Sequence, residues 1–276
     1  MTAPAGAAGP RAGADPHAGP APGAGPAPHA GPAPGAGPAP HAGASPAGPS
    51  VLDPPYDYPD YRSTQLRAPK RPLLPMPDGE TERRGPLFGE GSVKPTDNDL
   101  TLSPGGPPVG ERIVVTGRVT DALGRPVRSQ LVEIWQANSA GRYYHGVDNH
   151  DAPLDPNFTG AGRCLTDEDG RYRFVTIKPG EYPWANHRNA WRPAHIHFSL
   201  FGRSFAERLV TQMYFPGDPL LALDPMYQSV GDRRAAQLLV ARFDLATTVE
   251  QWALGYVFDI VLGGARPTPL EELAKN

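Results

Sequence analysis

From Arg112 onward, apolar residues come in short β-branched runs separated by turn residues, and this punctuation leaves room for little except stacked strands. Ile113-Val114-Val115-Thr116-Gly117-Arg118-Val119-Thr120 is one run, closed by a turn at Asp121–Pro126. Leu131-Val132-Glu133-Ile134-Trp135-Gln136 is a second. Arg163–Thr166 and Arg171–Ile177 flank Asp167-Glu168-Asp169-Gly170, an Asp-Gly signal for a hairpin. His195–Leu200, Leu209–Phe215 and Tyr256–Leu262 read as further strands. One stretch, about Asp232–Phe243, has helical spacing, with Ala236, Leu239 and Val240 on one face. The expected fold class is all-β: an antiparallel β-sandwich core with a long irregular N-terminal arm and one or two short helices.

The first fifty residues stand apart. They hold 17 Ala, 13 Pro and 11 Gly, too little apolar bulk to offset the entropy of ordering. Pro16-His17-Ala18-Gly19-Pro20-Ala21-Pro22-Gly23-Ala24-Gly25 recurs from Pro28 and begins again at Pro40, which repeats His17, His29 and His41 at a period of 12. Residues 1–50 are expected to be an extended, disordered tail. Metal capture by the three histidines is the sharper alternative, weakened by the flexible spacers. Residues 51–111 are expected to form an irregular arm, with Tyr56, Tyr58, Tyr61, Leu66, Leu73, Leu74 and Leu87 among many prolines, packed on its own domain or on a partner. Residues 112–276 are the expected β-sandwich domain and would carry any catalysis.

Charge and cysteine content exclude several functions. A net charge of −3 gives no electrostatic case for nucleic-acid or anionic-membrane partners. No apolar run approaches the roughly 18 residues of a membrane span. A single cysteine, Cys164, rules out an internal disulfide framework and a cysteine-based zinc site. The N-terminus carries no basic region followed by an apolar stretch, and the expected compartment is the cytoplasm.

The densest group of possible ligands lies between Tyr143 and His197. In His195-Ile196-His197, residues i and i+2 of a strand share a face, so both imidazoles can reach one ion. Ile196 and Phe198 alternate to the opposite face, and polar imidazoles on so apolar a strand need partners. Carboxylates nearby are few: Glu181 adjoins Tyr182, and Asp148 and Asp151 lie in a loop. Tyrosines are conspicuous instead, at Tyr143, Tyr144 and Tyr182. A phenolate is a hard anionic donor, and two with two imidazoles favour a ferric ion. On residues alone, each of these tyrosines reads more readily as a packing residue with an exposed hydroxyl.

Several long, ordered segments carry a resemblance to a known family. They are Leu131–Asn138 (LVEIWQAN), Gly141-Arg142-Tyr143, Asp155-Pro156-Asn157-Phe158, Gly162–Thr166 with Asp169-Gly170, Ile177–Trp184 (IKPGEYPW) and Trp191–Phe198 (WRPAHIHF). From about Tyr56 to about Arg266 the chain resembles the intradiol ring-cleaving dioxygenases, and among them the β subunits of protocatechuate 3,4-dioxygenases. The resemblance implies a mononuclear non-haem Fe(III) held by Tyr143, Tyr182, His195 and His197, with Tyr144 as the rival to Tyr143. It implies Arg192 and Gln212 as catalytic groups beside the iron, and Tyr182 as the ligand that leaves to accept a substrate proton. Trp135 and Trp184 would wall the substrate pocket. Without the resemblance, Arg192 reads as a surface ion pair and the tryptophans as core.

The implied activity is cleavage of protocatechuate (3,4-dihydroxybenzoate) by O2 to 3-carboxy-cis,cis-muconate, in aromatic catabolism by the β-ketoadipate pathway. The implied partner is an α subunit in a hetero-oligomer. Three other readings remain open at this point: an intradiol enzyme for catechol or hydroxyquinol, a non-catalytic β-sandwich binding subunit, and a cupin-type ferrous or zinc enzyme pairing His-x-His with a carboxylate.

Overall fold

The computed structural model describes residues 54–71, 92–184, 190–201, 208–264 and 266–270. The repeat at 1–50, Leu73, Leu74 and Leu87 of the arm, and the link 185–189 lie outside the described residues. Eleven strands appear among the described residues: β1 (Arg112–Asp121), β2 (Leu131–Trp135), β3 (Ala161–Leu165), β4 (Arg171–Ile177), β5 (Tyr182–Trp184), β6 (Ala190–Arg192), β7 (His195–Phe201), β8 (Arg208–Tyr214), β9 (Arg242–Phe243), β10 (Leu254–Val257) and β11 (Ile260–Leu262). Three short α-helices, α1 (Arg62–Arg67), α2 (Pro225–Gln228) and α3 (Arg233–Gln237), and one 3-10 turn at Pro219–Ala222 accompany them.

One large sheet centres on β1, with β4 antiparallel on one side and β10 and β11 parallel on the other. The second runs β3-β2-β7-β8, all antiparallel. The two pack face to face, as an all-β sandwich. Ile113 and Val115 of β1 and Phe174 of β4 share one core with Val132 and Ile134 of β2 and Ile196, Phe198 and Leu200 of β7. The Phe198 ring is the hub, tilted on Tyr172 and Phe258 and edge-on to Phe174. β7 is buried along both faces. Its apolar side chains enter this core, while His195, His197 and Ser199 point the other way.

Three local expectations change, and the arm takes one of its two expected places. The run Tyr256–Leu262 is interrupted at Phe258–Asp259, yet β10 and β11 keep one register on β1, with Ile113 opposite Leu254 and Val119 opposite Ile260. At the break Phe258 N still donates to Thr116 O at 2.8 Å, and side chains complete the ladder: Tyr172 Oη donates to the Phe258 carbonyl, and Asp259 Oδ1 accepts from Arg118 N. The Asp167–Gly170 turn forms, with Gly170 N 2.9 Å from Asp167 O. Its flanking strands are not a hairpin, because β3 pairs with β2 and β4 pairs with β1. This split puts Cys164 and Phe174 into facing layers of the same core.

The helix expected over Asp232–Phe243 covers only α3, capped by the Asp232 side chain, which accepts from Arg234 N and Ala235 N. Sheet pairing ends it: Tyr214 N donates to Leu239 O and Ala241 N donates to Tyr214 O, both at 2.8 Å, so the chain straightens beside β8. The arm, finally, packs on its own domain where it is described. Thr64 Oγ1 in α1 holds Tyr58 and Tyr61 through their backbones. Tyr61 is buried, with its ring 4.8 Å from that of Trp184.

Candidate metal centre

Strand alternation sets His195 and His197 side by side on β7, ring centroids 4.8 Å apart. Two tyrosines meet them. Tyr143 Oη lies 3.1 Å from His197 Nε2, and Tyr182 Oη lies 3.4 Å from His195 Nε2. The two phenol rings stand edge to face at 5.5 Å. Tyr144, the alternative at this position, is 62% exposed and points to solvent.

Two glycines make this convergence possible. Gly141 sits at φ +76°, and a Cβ there would lie 2.2 Å from the Glu181 carbonyl oxygen. A Cβ on Gly180 would lie 2.4 Å from Ser139 O. The loop leading to Tyr143 and the segment leading to Tyr182 therefore touch backbone to backbone. Asn138 fastens both: its carbonyl accepts from Gly141 N at 3.0 Å and Gly180 N at 2.9 Å, and its Oδ1 accepts from Ala140 N and Arg142 N. Asp148 Oδ2 accepts from Tyr143 N at 2.7 Å.

The imidazoles are oriented as firmly. His195 Nδ1 is 2.6 Å from the Pro193 carbonyl. A carbonyl only accepts, so Nδ1 carries the proton and the Nε2 lone pair faces Tyr182. Trp135, opposite His197 across the β2–β7 pair, stacks on its ring at 4.8 Å and 4°.

Arg192 lies directly across the β5–β6 pair from Tyr182. Its side chain is fully buried and forms an ion pair with Asp224, Nε to Oδ1 at 2.9 Å. Gln212 Oε1 accepts from Arg192 Nη2, and Tyr214 Oη lies 3.1 Å from the same nitrogen. The Trp184 ring lies 5.1 Å from Arg192 Cζ. Burial opposes the guanidinium charge, but Asp224, Tyr182 and Tyr214 outweigh it and hold the pKa well above its ordinary value. The ion pair considered for Arg192 is thus real, and it is buried rather than at the surface.

Donor atoms sharing one small ion at about 2 Å are held about 3 Å apart, and both Tyr–His separations meet that condition. Two phenol oxygens with two imidazole nitrogens make a set suited to Fe(III). Among the described residues no group of three or more His, Cys, Asp and Glu side chains converges. The cupin-type alternative therefore finds no converging carboxylate for its histidines among the described residues. A separate cleft of about 550 Å³ opens where β3 and β4 part, lined by Asn98, Arg118, Cys164 and Tyr172 among others. None of the four candidate ligands borders it.

Sequence reading passed over Asp224, Tyr214 and Met226, and left Tyr61 without a place. Asp224-Pro225 carried a readable signal, a helix cap followed by proline at the first helical position. That signal announces α2, not the ion pair. Tyr61, Ala137, Trp184 and Met226 form one apolar cluster with Tyr182, and Tyr143 packs against it.

A family model described as Dioxygenase matches residues 83–264, and one described as Protocatechuate 3,4-dioxygenase beta subunit N terminal matches residues 54–78. The protocatechuate 3,4-dioxygenase beta chain of Burkholderia cepacia is 61% identical over 220 residues, covering 79% of this chain and 93% of that one. Hydroxyquinol 1,2-dioxygenase of Rhizobium sp. (strain MTP-10005) is 36% identical over 129 residues, 43% of this chain and 42% of that one. Among solved structures, 3-chlorocatechol 1,2-dioxygenase of Rhodococcus opacus 1CP superposes with a TM-score of 0.48 at 24% identity, over 66% of this chain and 71% of that one. The Dioxygenase match spans both large sheets and all four Tyr and His positions, and with the Burkholderia chain so similar over nearly its whole length, the chain belongs to the intradiol ring-cleaving dioxygenases.

Proposed function

We propose that this chain is the β subunit of a protocatechuate 3,4-dioxygenase. It cleaves 3,4-dihydroxybenzoate between its hydroxyl-bearing carbons with O2, giving 3-carboxy-cis,cis-muconate. A mononuclear non-haem Fe(III) is held by Tyr143, Tyr182, His195 and His197. The observation that carries this reading is the approach of two phenol oxygens to two imidazole Nε2 atoms at 3.1 and 3.4 Å. The complete ligand set argues against a non-catalytic binding subunit. An α chain as partner is supported by the beta-chain relative. Among the described residues no helix is long and apolar enough to cross a membrane.

When bound, the ferric ion supplies the redox coupling that lets an ionised diol react with O2. The chain's own residues prepare that diol. Tyr182 Oη, as a phenolate, accepts a proton from an incoming hydroxyl. Arg192, next to it across β5–β6, cannot release its proton and stabilises the negative charge the diol gains. Gln212 acts through Arg192, whose Nη2 it accepts. Trp135 fixes the His197 ring. Trp184 and Tyr61 supply an apolar wall beside Arg192, which excludes water and strengthens the electrostatics inside.

Oxygen uptake by the purified protein, with and without a co-expressed α chain, on a panel of protocatechuate, catechol and hydroxyquinol tests the reading. Uptake is expected to be fastest on protocatechuate with the α chain present. The iron-loaded protein should be burgundy from phenolate-to-iron charge transfer, and Tyr182→Phe should weaken that band. A colourless iron-loaded protein refutes the ligand set. Faster uptake on catechol or hydroxyquinol refutes the substrate.

A further inference from the structure

Behind Tyr182 stands a buried acid that the reaction as described does not use. Asp224 is as deeply enclosed as Arg192, both side chains 0% exposed. Its Oδ1 accepts from Arg192 Nε at 2.9 Å, and its Oδ2 lies 3.2 Å from Nη2. Tyr214 Oη closes the ring, 3.0 Å from Asp224 Oδ2, 2.8 Å from Gln212 Oε1 and 3.1 Å from Arg192 Nη2. Asp224 is itself fixed, because it caps α2 and accepts from Tyr227 N. Every anchor therefore grips one edge of the guanidinium. The remaining nitrogen, Nη1, is buried and has no hydrogen-bond partner among the described residues.

A buried donor without a partner is costly and calls for a reason. The pair as a whole has no net charge, so what it presents to a neighbour is close to a dipole. The effect of a dipole depends on its direction, not only on its presence. We propose that Asp224 is a positioning residue: with Tyr214 and Gln212 it clamps Arg192 by one edge and reserves Nη1 as the donor for negative charge arriving beside Tyr182. The inference rests on reading this site as the dioxygenase centre.

A double-mutant cycle between Asp224→Asn and Arg192→Met tests it, on the iron-loaded complex with the α chain. Iron content and a crystal structure accompany each variant. Asp224→Asn keeps the shape and one acceptor but loses the bidentate grip. It is expected to lower kcat by about ten- to a hundredfold while KM moves less than about threefold, because the donor acts mainly as charge develops. Iron content should stay near normal, and the guanidinium should occupy more than one orientation. In the Arg192→Met background, Asp224→Asn should change kcat less than about twofold, since the residue it acts through is gone.

Equal losses in both backgrounds would assign Asp224 a general structural role and overturn the proposal. So would a variant with wild-type turnover, or a guanidinium left in place. If Asp224→Asn does not accumulate, Tyr214→Phe takes its place in the same cycle, with an expected loss of about three- to tenfold. Failure of the underlying functional reading looks different, because then the wild-type complex itself consumes no oxygen with any of the diols.

Discussion

Replacing Gly141 by alanine should disrupt the candidate metal centre while leaving the sandwich folded. Two costs arise at this position. A non-glycine residue at φ +76° loses about 1–2 kcal/mol to left-handed backbone. The added Cβ also falls 2.2 Å from the Glu181 carbonyl oxygen. Backbone on both sides must separate by roughly 1 Å before the contact becomes tolerable. Glu181 adjoins Tyr182, which is paired into β5, so the loop carrying Tyr143 is the side that gives. Tyr143 is then drawn away from His197, and displacements of about 1 Å cost on the order of a hundredfold in activity.

Gly124 provides the control, with φ +75° and nothing within 4 Å of its would-be Cβ. Gly124→Ala carries the backbone cost alone, about 2–8 °C in melting temperature for a domain of this size. Iron per chain and the visible band are read for both variants alongside thermal melts. Gly141→Ala should lose iron or shift the band, and Gly124→Ala should do neither. Full iron and an unchanged spectrum in Gly141→Ala would show that the glycine contact does not hold the tyrosines together.

Arg192→Met strands the Asp224 carboxylate in the interior, at a cost of about 3–5 kcal/mol, or roughly 6–20 °C of melting temperature. Adding Asp224→Leu should restore most of that stability but none of the turnover, and recovery of turnover in the double variant would remove Arg192 from the chemistry. Burial pushes the Cys164 thiol up to about 12, so alkylation at about pH 9 should run no faster than unfolding; rapid labelling of the native protein contradicts this. Deleting residues 1–50 should leave kcat within about twofold, a change of roughly 0.4 kcal/mol in barrier. A tenfold loss in the truncated complex would give that segment a part in catalysis.

The strands and the His195–His197 pair were legible because both depend on short-range pattern, whereas Tyr143 and Tyr182 came forward as ligands only through the resemblance to the intradiol dioxygenases. Alternation along His195–Phe198 assigns faces without knowledge of what lies opposite. What was not legible depends on distant partners. Nothing local says that the strands flanking Asp167–Gly170 enter different sheets, since that is decided by their pairing with β1 and β2. The helix over Asp232–Phe243 was cut short by hydrogen bonds to Tyr214, some twenty residues earlier in the chain. Arg192 and Asp224 are separated by 32 positions, and only the closed fold makes them one unit. The arm's tyrosines were visible as apolar bulk, but the resting place of Tyr61 against Trp184 was not.

β7 is enclosed on both sides, with a hydrocarbon layer on one and two imidazoles on the other. Sliding this strand by one residue against β2 and β8 would turn Ile196 and Phe198 toward the tyrosines and drive both histidines among phenylalanine rings. Neither layer could adapt to the exchange. With the proposed ligand set, a chain that has paired β7 wrongly is therefore also a chain that cannot hold iron. The metal content of a preparation then works as a proofreading signal, reporting what fraction of molecules found the correct strand alignment, even when spectroscopy of the backbone sees the same amount of sheet.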